Sequence, residues 1–543
     1  MPQPEPPLSP ASPRGEPAPA AARLARSAGL IGVATMMSRV LGLARDIVYA
    51  WLFGAGNQMD AFNVAFKIPN MVRDLFAEGA MSAAFVPAFT RALTQHGRNA
   101  AWRLGNLVIT ALLLVTGVIV VVGIAGAWPL VELVAHGFGA VPGKLELTVF
   151  LARLMFPFLT LVAVAVAFMG MLNSLRHFFL PALSPALFNV GAIAGALVLV
   201  PLAPRLGLPP VAGLALGTLL GGLLQAAVQW PALHRLGFRY RPLIDVHDPG
   251  LREVLLLMGP ATIGLAAVQI NVLVNVVLAT GQGTGAVSWL QYAFRIMYLP
   301  IGLFGVSIAT AAMPVLATLA VREDLGGMRQ TVSSGLRMML MLNVPATVGL
   351  VVLAEPIVSL LYERGSFTSA DTPATAAALM FYAPGLLGYS AVKIASPSFY
   401  ALRDTRTPVA TSIMSVLLNV VLNLTLVRAL GYRGLALGTA LAALANAGVL
   451  LWLLRRRLGG LDGGRVLLAA VKIALASLAM AMAAHWGHAA IAARLPAGFA
   501  GRALALALAI GLAMAVLALA ARVLRLEEFD QAMGRVMARV RRA

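Results

Sequence analysis

The chain has no cysteine, and its seven histidines are scattered. Disulfides, thiolate metal sites, iron–sulfur clusters and cysteine nucleophiles are therefore excluded together. Charge is also scarce, with Asp, Glu, Lys and Arg making up 11% of 543 residues against about 25% in soluble domains. No Asp-Asp pair occurs, which removes the clustered acids that a magnesium-dependent prenyl-phosphate transferase needs against a diphosphate. No catalytic set, metal site or cofactor is expected, and the chain is not read as an enzyme. What is abundant is apolar: 60% of residues are hydrophobic and the mean hydropathy is +0.86, so the solvent that fits is lipid. The formal net charge is +20, but the basic residues fall between apolar runs and form no stripe beside aromatic readout positions. That distribution argues against nucleic acid and for a role in topology.

Residues 1–26 are rich in Pro and Ala and are expected to be a disordered cytoplasmic tail. The apolar stretch that follows is too long for a cleaved signal peptide and is interrupted by Arg39, Arg45 and Asp46, so it stays as the first span. Runs of about 20 apolar residues recur about fourteen times, from 28–53 to 502–522, with 104–135 as the third. The fold class is therefore all-α and polytopic. Lys and Arg concentrate in alternate connections, which hold Arg98, Arg241 and the Arg455-Arg456-Arg457 run. The positive-inside rule then places both termini in the cytoplasm.

The sequence also repeats. Ala65-Phe66-Lys67-Ile68, with Phe76 beyond it, returns as Ala293-Phe294-Arg295-Ile296 with Phe304, 228 positions on. Leu175-Arg176 with Pro181 returns as Leu402-Arg403 with Pro408, 227 positions on. An offset of six spans predicts two halves of equal orientation, related by an axis along the membrane normal, with a transport site between them. The expected organisation is an N-lobe at 27–235, a C-lobe at 236–460, two further helices at 461–525 and a basic cytoplasmic tail at 526–543.

Residues 36–90 hold the most informative charges. Arg39, Arg45, Asp46, Lys67, Arg73, Asp74 and Glu78 lie inside apolar helices, and Asp60 lies at a helix entrance. A charge at the bilayer centre costs about 2.5–3.5 kcal/mol, so seven unpaired ones would cost on the order of 20 kcal/mol. They must face water, a ligand or one another. At ~100° per residue, Asp60, Lys67, Asp74 and Glu78 share a stripe, Arg39 and Asp46 share a face, and Arg45 and Arg73 point elsewhere unless Pro69 kinks the helix. The rival reading is a set of buried ion pairs holding the first two helices together. Guanidinium groups match phosphate through a planar fork, so arginine in these positions favours an anionic ligand, whereas an exporter of cationic drugs would favour acids. Asn419 and Asn423, one turn apart, with Thr439 on the next helix, are candidates for a monovalent-cation site, against the alternative of interhelical hydrogen bonds. Glu363-Arg364-Gly365 reads as a solvated turn.

Ser38-Arg39-Val40-Leu41-Gly42, Ala44-Arg45-Asp46, Asp60-Ala61-Phe62, Phe66-Lys67, Pro69-Asn70 and Phe76-Ala77-Glu78-Gly79-Ala80 resemble the MurJ/MviN family of lipid II flippases. The likeness continues through Asn173-Ser174, Pro181-Ala182, Pro397, Phe399-Tyr400 and Thr407-Pro408. It implies a fourteen-helix fold of the MOP exporter superfamily, two six-helix lobes plus two helices forming a lipid groove. The implied substrate is lipid II, undecaprenyl-pyrophosphoryl disaccharide-pentapeptide, carried across the bacterial inner membrane for peptidoglycan synthesis. Another lipid-linked glycan, or a drug, is the alternative cargo within that superfamily. The resemblance implies substrate binding by Arg39, Arg45, Asp60, Lys67, Arg73, Glu78 and Arg295, with Ser38, Asp46 and Asp74 supporting the cavity. Membrane lipids are the other expected partners, and a monomer is compatible with the sequence, which leaves the oligomeric state open. Two positions depart from the family: Phe294 stands where some members carry an acid, and Asp74 where many carry a base.

Overall fold

The computed structural model describes residues 18–75, 81–302, 306–496, 498–530 and 534, and among these the regular elements are all helical. The first six crossings are α1 (Ala18–Phe53), α2 (Asn57–Arg73) continued by α3 (Met81–Gln95), α4 (Gly97–Ala125) with a short α5 (Ala127–Val134), α6 (Lys144–Met155) continued by α7 (Phe158–Ser174), α8 (Phe179–Leu202), and α9 (Ala212–Ala227) with a short α10 (Trp230–Arg235). The next six are α11 (Pro249–Thr280), α12 (Ala286–Pro300) continued by α13 (Val306–Val321), α14 (Leu325–Val352) with a short α15 (Ala354–Tyr362), α16 (Asp371–Tyr382) continued by α17 (Gly385–Ala401), α18 (Arg406–Leu430) and α19 (Tyr432–Arg457). A hairpin of α20 (Gly463–Ala492) and α21 (Phe499–Val523) completes the chain. It packs mainly on α14 and α15.

Ten crossings are long and apolar enough, within the described residues, to span a membrane. The other four are α1, α2–α3, α11 and α12–α13, the first and second crossings of each half. Two expectations need correction. Residues 18–26 belong to α1, because the Ala-rich run there has high helix propensity that outweighs its polarity; residues 1–17 lie outside the described set. The span expected at 104–135 breaks at Gly126 into α4 and α5.

The duplication is visible in the backbone. Arg176 and Arg403 both adopt left-handed conformations, with φ of 63° and 59°, after Leu175 and Leu402 with ψ of 10° and 9°. Non-glycine residues seldom tolerate that region, so its recurrence 227 positions on marks a shared turn. Single π-helical turns occur at residues 74–75 and again at 301–302, and Pro87 and Pro314 occupy matching sites in α3 and α13. Within each half the third crossing packs on the fourth, the fourth on the sixth, and the fifth on the sixth.

Three apolar cores define the two lobes. One lies in the N-lobe around Phe85, Phe158, Met171 and Phe238. Another lies in the C-lobe around Met328, Leu336, Phe399 and Leu454. The third spans both, joining Tyr49, Phe62 and Val131 to Tyr292, Tyr362 and Phe367. The lobes thus share a core at the end where Asn57 and Thr284 lie. Toward the arginine-rich end the N-lobe core also takes in Leu251, Val254 and Met258 of α11, while the rest of the C-lobe packs about its own centre. The expected boundary at 236 is less sharp than the sequence implied, because α11 packs on α3, α4 and α5 as well as on α18 and α19. Its first turn and the segment before it are tied to the N-lobe by Arg91–Glu253 at 2.7 Å and Arg103–Asp245 at 2.8 Å.

Candidate functional site

The closed end is built around Asp60, in the first turn of α2. Its carboxylate is fully buried and accepts from Lys144 Nζ at 2.9 Å, Gly285 N at 2.7 Å, Ser288 Oγ at 2.7 Å and Ser288 N at 3.1 Å. Lys144 is itself 3% exposed. One turn further, Asn63 donates to Ser288 Oγ at 3.1 Å and accepts from Gln291 Nε2 at 3.0 Å, and Thr284 donates to Asn57 Oδ1 at 2.8 Å. Lys144 aside, the partners in these contacts stand 225–228 positions apart, so residues equivalent under the repeat, such as Asp60 and Ser288 or Asn63 and Gln291, touch each other. That is the pattern of an isologous interface, and it places the pseudo-two-fold axis through the crossing of α2 and α12.

Further contacts seal the same end. Tyr292 donates its hydroxyl to Gly54 O at 3.0 Å, and Ser366 N donates to Trp51 O at 2.9 Å. Gly365, at φ 61°, lies so close to Trp51 that a Cβ would sit 2.3 Å from it. The segment expected as a solvated turn is a turn, exposed at Gly365 and Ser366, and it also joins the lobes. Asp60 belongs to this seal and stands apart from the cations deeper in the bilayer.

Those cations converge where α1 meets α12. Asp46 is buried and holds two guanidinium groups: Arg295 Nε at 2.5 Å and Arg45 Nη2 at 2.8 Å. Arg45 turns back over Tyr49 and Phe188, toward α8, whereas Arg295 reaches Asp46 from the opposite lobe. Arg39, two turns before Asp46, lies over Tyr298 at 5.9 Å and against Gly302, where a Cβ would meet the guanidinium. Arg39 meets no carboxylate among the described residues. Ser38 accepts at its backbone carbonyl from Asn189 Nδ2 at 3.2 Å.

On α2, Lys67 is partly buried and forms no hydrogen bond or ion pair among the described residues. Arg73 grips its neighbour Asp74 at 2.5 Å, and Asp74 also accepts from Asn70 and from Gln269 of α11. The helix is unbroken through Pro69 to Arg73, and π-helical backbone follows at 74–75. Glu78 lies outside the described residues. The ion pairs here join α1 to α12, or neighbours on one helix; among the described residues none joins α1 to α2. Five cations, Arg39, Arg45, Lys67, Arg73 and Arg295, therefore face two described acids, Asp46 and Asp74.

The proposed cation group is divided. Asn423 Nδ2 donates to Asn419 Oδ1 at 2.8 Å and to Asn275 of α11, while Thr439 donates to the carbonyl of Leu435 in its own helix. Three amides thus form an interhelical joint, and Thr439 lies outside it. Gly438 gives Asn423 room, since a Cβ there would fall 2.1 Å from its Oδ1. Gly438→Ala should cost about 1–3 kcal/mol through overpacking and lower the thermal midpoint of the purified protein by a few degrees. An unchanged midpoint would show that the joint yields freely.

The sequence reading missed Lys144, Ser288, Tyr292, Gly302 and Asn275. The repeat offset points to two of them, because 228 positions take Asp60 to Ser288 and Asp74 to Gly302.

The family described as lipid II flippase MurJ matches residues 49–506. A probable lipid II flippase MurJ of Vibrio cholerae is 37% identical over 438 residues, covering 79% of this chain and 82% of that one. A solved lipid II flippase MurJ in an inward closed conformation superposes with a TM-score of 0.74 at 26% identity, covering 91% of this chain and 99% of that chain. An inward-facing multidrug resistance MATE transporter of the MOP superfamily shares the fold, with a TM-score of 0.66 at 18% identity over 80% of this chain and 98% of that one. The match to the family model runs from the last turns of α1, through the seal and both lobes, into α21, and on that extent the chain belongs to the lipid II flippase MurJ family.

Proposed function

We propose that this chain carries lipid II from the cytoplasmic to the periplasmic leaflet of the bacterial inner membrane for peptidoglycan synthesis, by alternating access of the two lobes. The observation that carries the reading is the excess of cations over acids among the described residues where α1 meets α12, between lobes whose largest shared core lies at the sealed end. Arg39 and Lys67, lacking carboxylate partners among the described residues, suit a diphosphate that supplies the missing counter-charge. Arg45, Arg73 and Arg295, each already on a carboxylate, extend the field that attracts it. The names borne by the curated relatives support the same cargo. The lobes are assigned to 27–235 and 236–460, with the helices of 461–525 flanking the lipid tail, which need not leave the bilayer. Asp60 acts in this cycle through the seal: its bonds must break for the cavity to open to the periplasm. Depleting the protein should leave newly made lipid II in the cytoplasmic leaflet in a leaflet-resolved assay. Undiminished delivery to the periplasmic leaflet would end the reading.

The same proposal fixes orientation, with both termini in the cytoplasm and the sealed end facing the periplasm. Because the chain has no native cysteine, single cysteines report cleanly. Cysteines at Asn57 and Gly281 should react with an impermeant maleimide in intact cells, and those at Arg98 and Arg241 only after permeabilisation. Labelling of the Arg241 site in intact cells would invert the assignment.

A further inference from the structure

A second basic site lies outside the cavity, at the arginine-rich end, where α19 turns into α20. Arg329, Arg455 and Arg456 line a hollow of about 500 Å³ together with Trp452, Gly460 and Asp462. The loop between the helices is fixed from below by Leu458 and Leu461, which belong to the C-lobe core with Met328 and Leu454. Gly460 takes φ 144°, open only to glycine, and Arg329 lies across it, 2.9 Å from where a Cβ would stand. Asp462 gives its carboxylate to Arg329 at 2.5 Å, so one positive charge is neutralised and those of Arg455 and Arg456 are left over. The buried Nε of Arg329 has no hydrogen-bond partner among the described residues. The guanidinium of Arg456 stacks 3.7 Å over the half-exposed indole of Trp452, an aromatic at the depth where lipid headgroups lie.

Past the hollow, α20 carries an exposed apolar flank. Leu467, Leu468, Val471, Leu475 and Leu478 of α20 are each more than 45% exposed and run away from the hollow along the hairpin's outer surface. A soluble anion would use only the arginines, whereas a lipid would use both the arginines and this flank.

We infer that the α19–α20 junction is a binding site for the headgroup of an anionic glycerophospholipid, with the phosphate between Arg455 and Arg456, beside the Arg329–Asp462 pair, and the acyl chains along α20. Such a lipid would bridge the C-lobe to the hairpin. The site is remote from α1, α2 and α12 and stands or falls independently of the cargo proposed above.

The test is native mass spectrometry of the full-length protein in detergent, titrated with dioleoyl-phosphatidylglycerol, dioleoyl-phosphatidylcholine or inorganic phosphate. Phosphatidylglycerol should be retained over phosphatidylcholine. Arg455→Gln with Arg456→Gln should lower its occupancy roughly tenfold or more, given the usual contribution of each basic residue near an anionic headgroup. Arg322→Gln, an exposed cation at the same end, should not. If the double variant is not monodisperse, Arg456→Gln alone, whose side chain lies on an exposed ring, should still lower occupancy about threefold. Equal retention of the two lipids, variants that bind as the wild type does, or displacement of phosphatidylglycerol by equimolar inorganic phosphate would each overturn the assignment.

Discussion

Arg39→Ala and Arg295→Ala proteins are expected to reach the membrane at normal levels and fail to support cell-wall synthesis. The two arginines approach the α1–α12 contact from opposite lobes, Arg39 over Tyr298 and Gly302, and Arg295 on Asp46. Removing Arg295 leaves Asp46 still paired with Arg45 at 2.8 Å, so no lone buried charge is created and folding should survive. A charged hydrogen bond contributes about 1.5–3 kcal/mol, so each variant should bind purified lipid II roughly 10- to 100-fold less tightly. Arg→Lys at either site should recover only part of that, because an ammonium keeps the charge and loses the planar fork. The measurements are complementation of a depleted strain, immunoblotting of membranes and lipid II binding by the purified variants. Normal insertion with normal growth would remove these arginines from the substrate site. Loss of the protein from the membrane would make the Asp46 cluster a structural ion-pair network.

Asp60→Ala should act in a different way, by opening the sealed end. The substitution strands Lys144, 3% exposed, without its carboxylate, and removes the acceptor of Gly285 N and Ser288 Oγ. Breaking a buried pair from one side costs about 3–5 kcal/mol. Much of that penalty disappears if the lobes part and water reaches Lys144, so the equilibrium should shift toward an outward-open arrangement. Spin labels at Gln58 and Gly281, exposed positions flanking the seal, should show a longer distance distribution in Asp60→Ala than in the parent. Asp60→Ala with Lys144→Met, which removes the stranded charge, should recover part of the closed population. An unchanged distribution in Asp60→Ala would show that the shared apolar core alone holds this end shut.

The crossings were legible because each must present about 20 apolar residues to lipid, and the repeat because it left Lys67 and Arg295 in equal settings. The candidate cations were legible for the opposite reason, as charges standing where apolar residues belong. Their pairing was not. Helical phase separated Arg45 from Asp46, yet long side chains reach a neighbour on the same helix, and Arg73 meets Asp74 beside a π turn that no residue type announces. Lys144 stands between apolar runs like any connecting charge, and only the fold brings it to Asp60, 84 positions back. Ser288, Gly302 and Gly365 carry no charge and no motif, and their importance lies entirely in what approaches them.

The contact between Asp60 and Ser288 has a history written into its geometry. Two halves that arise by duplication begin with the same residue at both positions, and a residue lying on the axis that relates them then faces its own copy. Two aspartates there would repel, and two serines would bond weakly, so a firm closure needed the copies to drift apart. The drift is one-handed: Lys144 neutralises the acid in the first half, while the matching place in the second is Thr372, whose hydroxyl is already given to Glu363 at 2.8 Å. Exchanging the two residues, Asp60→Ser with Ser288→Asp, would keep the composition of the seal and still break it, because the carboxylate would arrive on the side that has no lysine.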